Sequence, residues 1–164
     1  MLLEKGARRV ETFDVGYGLL HERLRRDKRV VIHDRTNVRY LTGKEMDPAE
    51  VVVMDLSFIG LGKILSAVGR IIGPGAEMVA LIKPQFEAGR ASVGKGGIVR
   101  DKKVFQEVLE TWLRDLRGNG FACWGLVPSA VKGKKGNQEF FSWFREIDAH
   151  GLPEPPPNVE QVVS

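Results

Sequence analysis

Short runs of consecutive apolar residues alternate along this chain with stretches of helical spacing. VETFDVG reads as a strand closing on Asp14, and RVVIH as a second strand, with GLLHERLRRD as a short helix between them. MLLEKG before them reads as the last turns of a helix, with Gly6 as its stop. After turn signals at Gly43 and Asp47-Pro48, VVVMD is a near-continuous apolar strand, the pattern expected where both faces are covered. LGKILSAVGRII has helical spacing, with Leu61, Ile64, Leu65, Val68 and Ile72 on one side and Gly73-Pro74-Gly75 as its stop. EMVALIK is the next strand. Asp101 is placed to cap the longest helix, DKKVFQEVLETWLRDLRGNG, with Val104, Val108, Leu109, Trp112 and Leu116 as its buried stripe. FACWGLV and QEFFSWF are the last two strands.

Strands separated by helices predict a parallel α/β sheet. The final pair differs, because only the loop PSAVKGKKGN separates its strands. No crossover helix fits there, so the two pair as a hairpin and QEFFSWF runs antiparallel to the rest. Parallel strands present their C-terminal ends at the ligand edge of such a sheet. An antiparallel strand presents its beginning there. Asp55 ends VVVMD, Lys83 ends EMVALIK and Glu139 opens the last strand, so all three fall on one edge. Such a set suits removal of a proton from a weakly acidic group.

The chain has 164 residues, 43% of them apolar and 28% charged, which fits one globular domain with a sizeable core. The formal charge of +4 is compatible with an RNA partner. The single cysteine, Cys123, excludes an internal disulfide and a multi-cysteine zinc site. It lies in an apolar run and reads as a buried structural thiol. His21, His33 and His150 lack ligand-like spacing, so no metal is expected. No stretch approaches ~18 uninterrupted apolar residues, and MLLEKGARRV is too short and charged for a signal peptide, so a cytoplasmic location is expected. The absence of G-x-G-x-x-G argues against a dinucleotide-dependent oxidoreductase.

The segments FDVGYG, DRTNVRYLT, MDLSFI, LIKPQFEAGR, VGKGGIVRD, PSAVKG and GNQEFF resemble the C-terminal part of the TlyA family. These are RNA ribose methyltransferases with an FtsJ-like catalytic domain, often labelled hemolysin A. The resemblance covers residues 1 to 146. It implies the S-adenosylmethionine-dependent methyltransferase fold, a Rossmann-like sheet with an antiparallel last strand, over residues 1–147. Residues 148–164 read as a proline-rich, extended and disordered tail. Family members resemble a two-part protein in which an S4-type RNA-binding domain precedes the methyltransferase domain. The first strand, the glycine-rich cofactor loop and the first of four catalytic residues, a lysine, are not found in this sequence. The expectation is an N-terminally truncated member that holds its cofactor weakly or not at all.

By resemblance, Asp55, Lys83 and Glu139 carry the chemistry. Lys83 either donates to the developing oxyanion as an ammonium or accepts the proton as a neutral amine. Asp55 and Glu139 orient it. The implied cofactor, S-adenosylmethionine, meets Asp14 through its ribose hydroxyls, with Val15 and Tyr17 following in the loop. Thr36 and Asn37 match the family segment near the adenine, and Asp55, Ser57 and Phe58 line the methyl-transfer channel. Arg90, Lys95 and Arg100 in GRASVGKGGIVR, and Lys132, Lys134 and Lys135 in the hairpin loop, are the candidate RNA contacts. The implied function is 2′-O-methylation of RNA ribose, with ribosomal RNA as substrate. The alternative is a non-catalytic RNA-binding relic of that family.

Overall fold

The computed structural model describes residues 1–89, 92–147, 151–152 and 156–164. Among the described residues six strands form in chain order: β1 (Val10–Phe13), β2 (Val30–His33), β3 (Ala49–Met54), β4 (Ile72–Ile82), β5 (Phe121–Pro128) and β6 (Phe140–Glu146). The α-helices are α1 (Glu22–Arg25), α2 (Leu65–Ile71), α3 (Pro84–Glu87), α4 (Lys102–Gly118) and α5 (Val159–Val163). Short 3-10 turns at Leu3–Lys5, Val38–Tyr40 and Leu61–Ile64 complete the set. Gly6 stops the first of them in the left-handed region, at φ 96°.

The main sheet has four strands in the order β3-β4-β6-β5. β3 and β4 run parallel, while β6 runs antiparallel to both β4 and β5. The reversal expected from the short hairpin loop is therefore present, and it places β6 between β4 and β5. β1 and β2 pair in parallel as a separate two-stranded ladder. The single sheet that strand–helix alternation predicts is thus divided, since no ladder joins β1 to β3 among the described residues. The 3-10 turn after β2 packs on the one after β3. Arg70 of α2 ties the two parts further by donating from Nε to the Leu41 carbonyl, at 2.8 Å.

Register decides which side of the main sheet holds the core. Val52, Met78, Phe144 and Cys123 form one cross-strand row, and Met54, Ala80, Ser142 and Leu126 the next. This face packs against α2, α4 and the Leu61–Ile64 turn in a single apolar cluster. α4 is held at its start by Asp101, whose Oδ1 accepts from the Lys103 amide at 2.9 Å. Of its predicted stripe, Val108, Leu109, Trp112 and Leu116 are buried. Phe105, absent from that stripe, is buried too and meets Phe140 edge-on at 5.6 Å. The opposite rows, Val53–Val79–Trp143 and Leu81–Phe141–Val127, carry no helix among the described residues. Val51, Val53, Val127, Phe141 and Trp143 are exposed there. The covered-on-both-faces reading of VVVMD is corrected accordingly.

Two further expectations change. Helix α2 ends at Ile71, and Ile72 with Gly73-Pro74-Gly75 already belongs to β4. The pairing with β3 shifts register across this stretch, which absorbs the proline and the glycines as an irregularity within the strand. The tail is not extended throughout. Val159–Val163 form α5, capped by the Asn158 side chain, and Val163 is buried against the core. An apolar stripe of Val159, Val162 and Val163 makes this short helix worth ordering.

Candidate active site

Each member of the predicted trio follows or precedes its strand by one residue. Asp55 follows β3, Lys83 follows β4, and Glu139 precedes β6. Lys83 reaches back to Asp55, with Nζ 2.6 Å from Oδ1, and donates to Ser57 Oγ at 3.1 Å. The Lys83 side chain is 14% exposed and that of Asp55 71%, so the pair sits at a rim with the ammonium sheltered inside it. A half-exposed pair of this kind contributes little stability. Its effect is to fix the position of the ammonium.

Glu139 is buried at 8% exposure and does not pair with Lys83. It accepts from Gln85 Nε2 at 3.0 Å, and Gln85 stands two residues beyond Lys83 on α3. The sequence places Gln85 in the motif but assigns it nothing. Only the fold shows that it couples the Lys83 element to the start of β6. Gly133 covers Glu139 from the hairpin loop, where a Cβ would lie 2.5 Å from Oε1. A glycine is required there by close approach.

Ser57 and Phe58 both stand at this edge. Phe58 has φ 64°, a strained conformation for an aromatic residue. Its ring is 89% exposed and tilts against Phe86 at 4.7 Å. This exposed aromatic face lies near the Asp55–Lys83 pair, since Lys83 Nζ stands 6.0 Å from the Phe86 ring, and it suits a planar ligand.

Glu87, one turn of α3 beyond Lys83, was also not singled out by sequence. Its Oε1 accepts from the Leu61 amide at 3.0 Å, tying α3 to the turn after the Asp55 loop. Burial pushes this carboxyl upward, the Leu61 amide opposes the shift, Asp115 adds to it and Lys63 opposes it. A folded value above the unfolded one favours the protonated form, so the stabilisation is complete in acid and is lost as pH rises through the raised value. Glu87→Gln keeps an acceptor for Leu61 and removes the charge. We expect it to raise the melting temperature at neutral pH, with the difference vanishing below the ordinary glutamate range. Thermal unfolding at a series of pH values checks this.

The predicted cofactor residues form a second cluster. Asp14 follows β1, and its Oδ1 accepts from the Gly16 amide at 2.7 Å. The Thr36 amide donates to the Asp14 carbonyl at 2.8 Å, stitching the loops after β1 and β2 together. Val15 and Tyr17 are exposed, and the Arg35 guanidinium lies over the Tyr17 ring at 4.8 Å. Asn37 caps the following 3-10 turn through Oδ1, accepting from the Arg39 amide. No hydrogen bond or ion pair joins this cluster to the Asp55–Lys83 cluster among the described residues.

Lys95 and Arg100 are exposed on the glycine loop before α4, and Lys132, Lys134 and Lys135 on the loop between β5 and β6. Arg90 and His150 lie outside the described residues. His33 pairs with Glu11 at 2.7 Å and His21 caps α1. Cys123 is buried beside Ser142, and burial pushes its thiol up. No group of three potential metal ligands occurs among the described residues. No described helix is long and apolar enough to cross a membrane.

The mixed sheet with one reversed strand has the S-adenosylmethionine-dependent methyltransferase fold, shared at a TM-score of 0.64 and 15% identity over 89% of this chain with a Listeria monocytogenes structure provisionally named as such an enzyme. Residues 1–146 match the FtsJ-like methyltransferase family, and the chain belongs to it. It is 45% identical over 140 residues to YqxC of Bacillus subtilis strain 168, provisionally named an rRNA methyltransferase, covering 84% of this chain and 50% of that protein. It is 40% identical over 146 residues to the 16S/23S rRNA (cytidine-2′-O)-methyltransferase TlyA of Mycobacterium tuberculosis, covering 88% and 54%. A structure from Streptococcus thermophilus, provisionally named a hemolysin, superposes with a TM-score of 0.92 at 36% identity, over 99% of this chain and 59% of that one. The chain spans about half the length of the curated relatives it matches.

Proposed function

We propose that this domain methylates ribose 2′-hydroxyls of RNA, with ribosomal RNA in the cytoplasm as its substrate and S-adenosylmethionine as methyl donor. The observation that carries the reading is Lys83 Nζ, held by Asp55 and Ser57 on the edge where Glu139 begins its strand. The names of the relatives point to the same chemistry.

The residues present fit the nucleoside end of the cofactor. Asp14 uses one carboxylate oxygen on the Gly16 amide, which leaves the other for a ribose hydroxyl. Val15 and Tyr17 offer exposed apolar surface beside it, and Thr36 and Asn37 border the same loops. Bound there, S-adenosylmethionine supplies an electrophilic methyl group. Asp55, Ser57 and Phe58 stand at the transfer end. Lys83, held as an ion pair with Asp55, donates a hydrogen bond to the hydroxyl oxygen and stabilises the charge that grows as the oxygen bonds to the methyl carbon, the methyl–sulfur bond breaks and the hydroxyl proton passes to water at the exposed rim. Glu139, fixed by Gln85, maintains the shape of the pocket around that oxygen. Holding hydroxyl and methyl in line supplies much of the acceleration.

The test is a chimaera in which residues 1–146 replace the matching part of the M. tuberculosis relative. Transfer of labelled methyl from S-adenosylmethionine to ribosomal RNA, recovered as alkali-resistant dinucleotides, is the expected result. Binding of cofactor and RNA without any alkali-resistant product would overturn the reading.

A further inference from the structure

Asn137 is 3% exposed, yet both the oxygen and the nitrogen of its side-chain amide are bonded. Its Oδ1 accepts from the Val99 amide at 2.9 Å, and its Nδ2 donates to the Gly97 carbonyl, also at 2.9 Å. The partners lie about forty residues away in sequence, on the glycine loop. Each loop is closed by its own backbone. On the glycine loop, the Gly94 amide donates to the Ile98 carbonyl and the Gly97 amide to Gly94, both at 3.0 Å. On the hairpin loop, the Gly133 amide donates to the Asn137 carbonyl at 2.9 Å and the Gly136 amide to Gly133 at 2.7 Å.

Two compact loops are thus bolted together by one amide, in a buried setting where an unpaired donor or acceptor is costly. Asparagine is the side chain that fits both bonds. Aspartate lacks the donor for Gly97, and alanine leaves both backbone groups without a partner. Val99, buried at 3%, anchors the glycine loop beneath the bolt.

The joined surface has one sign of charge. Residues 92–100 and 129–138 contain Lys95, Arg100, Lys132, Lys134 and Lys135 and no acidic residue. All five cations are exposed. Lys135 Nζ lies 3.7 Å from where a Cβ on Gly97 would sit, so the ammonium of the hairpin loop stands over the backbone of the glycine loop. Glu139 follows directly on the hairpin loop, which sets this surface beside the candidate active site.

We propose that Asn137 is a latch that makes the two loops a single basic jaw, and that the jaw grips the phosphodiester backbone of RNA next to Lys83. This rests on the reading under Proposed function. Asn137 acts through the loops and is a positioning residue. A preassembled jaw spares the cost of ordering two separate loops at the moment of binding.

The test uses the 164-residue chain and in vitro transcribed 23S rRNA in filter binding across a salt series. Wild-type binding should weaken steeply with salt. Asn137→Ala should lose roughly tenfold in affinity and flatten the salt slope by about 1. Hydrogen exchange should show the Val99 amide losing protection while the β4 amides keep theirs. Wild-type affinity and slope in Asn137→Ala would overturn the latch. A second measurement needs no change at Asn137: Lys95→Ala and Lys135→Ala, alone and together, should be non-additive if the loops act as one unit. Additive losses would overturn the jaw even if Asn137→Ala fails to fold. Failure of the wild-type chain to bind RNA at low salt would instead remove the RNA reading on which the proposal stands.

Discussion

Lys83→Ala is expected to lower methyl transfer by roughly 10²–10³-fold, the range for loss of one positioned donor to a developing oxyanion. Cofactor affinity should be unchanged, because the residues assigned to the nucleoside form a separate cluster at Asp14 and Thr36. Folding should also be intact. Asp55, the partner left behind, is 71% exposed and returns to water without a buried, unpaired charge. The decisive comparison is single-turnover transfer in the chimaera beside calorimetric cofactor binding. Retained transfer would remove Lys83 from the mechanism, and a parallel loss of cofactor binding would show that the two clusters are one site. The contrast with Glu139 is informative. That carboxylate is buried and held by Gln85, so its removal leaves Gln85 Nε2 unpartnered and mixes a packing effect with any chemical one.

The second large effect is on stability. Phe144 is fully buried on β6 and meets Trp112 of α4 at 5.4 Å and Phe121 of β5 at 5.6 Å, both edge-on. Phe144→Ala removes the ring that joins the helix layer to the sheet. The expected loss is about 3–5 kcal/mol, a large part of the 5–15 kcal/mol typical of a domain. Urea denaturation would show the midpoint falling with little change in slope. Trp143, the adjacent residue, points to the uncovered side of the sheet and is 41% exposed. Its indole donates to Glu77, which also pairs with Arg145 at 3.1 Å. Alanine at Trp143 should cost far less than alanine at Phe144. One step along the strand changes the face, and with it the amount of apolar surface withdrawn from water.

The candidate trio was legible in the sequence because strand ends are marked locally. Apolar runs stop at Asp55 and Lys83, and a glycine-rich loop stops at Glu139, so each residue falls one position from its strand. The reversal of β6 was legible from loop length. Gln85, Glu87 and Asn137 were not legible as more than motif letters. Their roles depend on partners 26 to 54 positions away, at Leu61, Glu139, Gly97 and Val99. No local pattern encodes such a distance. The stop assigned to Gly73-Pro74-Gly75 failed for the same reason, since pairing with β3 carries that stretch into β4.

Taken alone, the order of residues settles the alternation of strand and helix, the antiparallel last strand, and the placement of Asp55, Lys83 and Glu139 at strand boundaries. These follow from periodicity and chain connectivity, which act over a few residues. The folded arrangement settles the rest: Lys83 pairs with Asp55 while Glu139 is held by Gln85, the described residues pack one face of the main sheet and leave Val51, Val53, Phe141 and Trp143 exposed on the other, and two glycine-containing loops close on one buried amide. Those outcomes turn on which distant groups are withdrawn from water together. A buried donor or acceptor must find its partner wherever the fold has brought one.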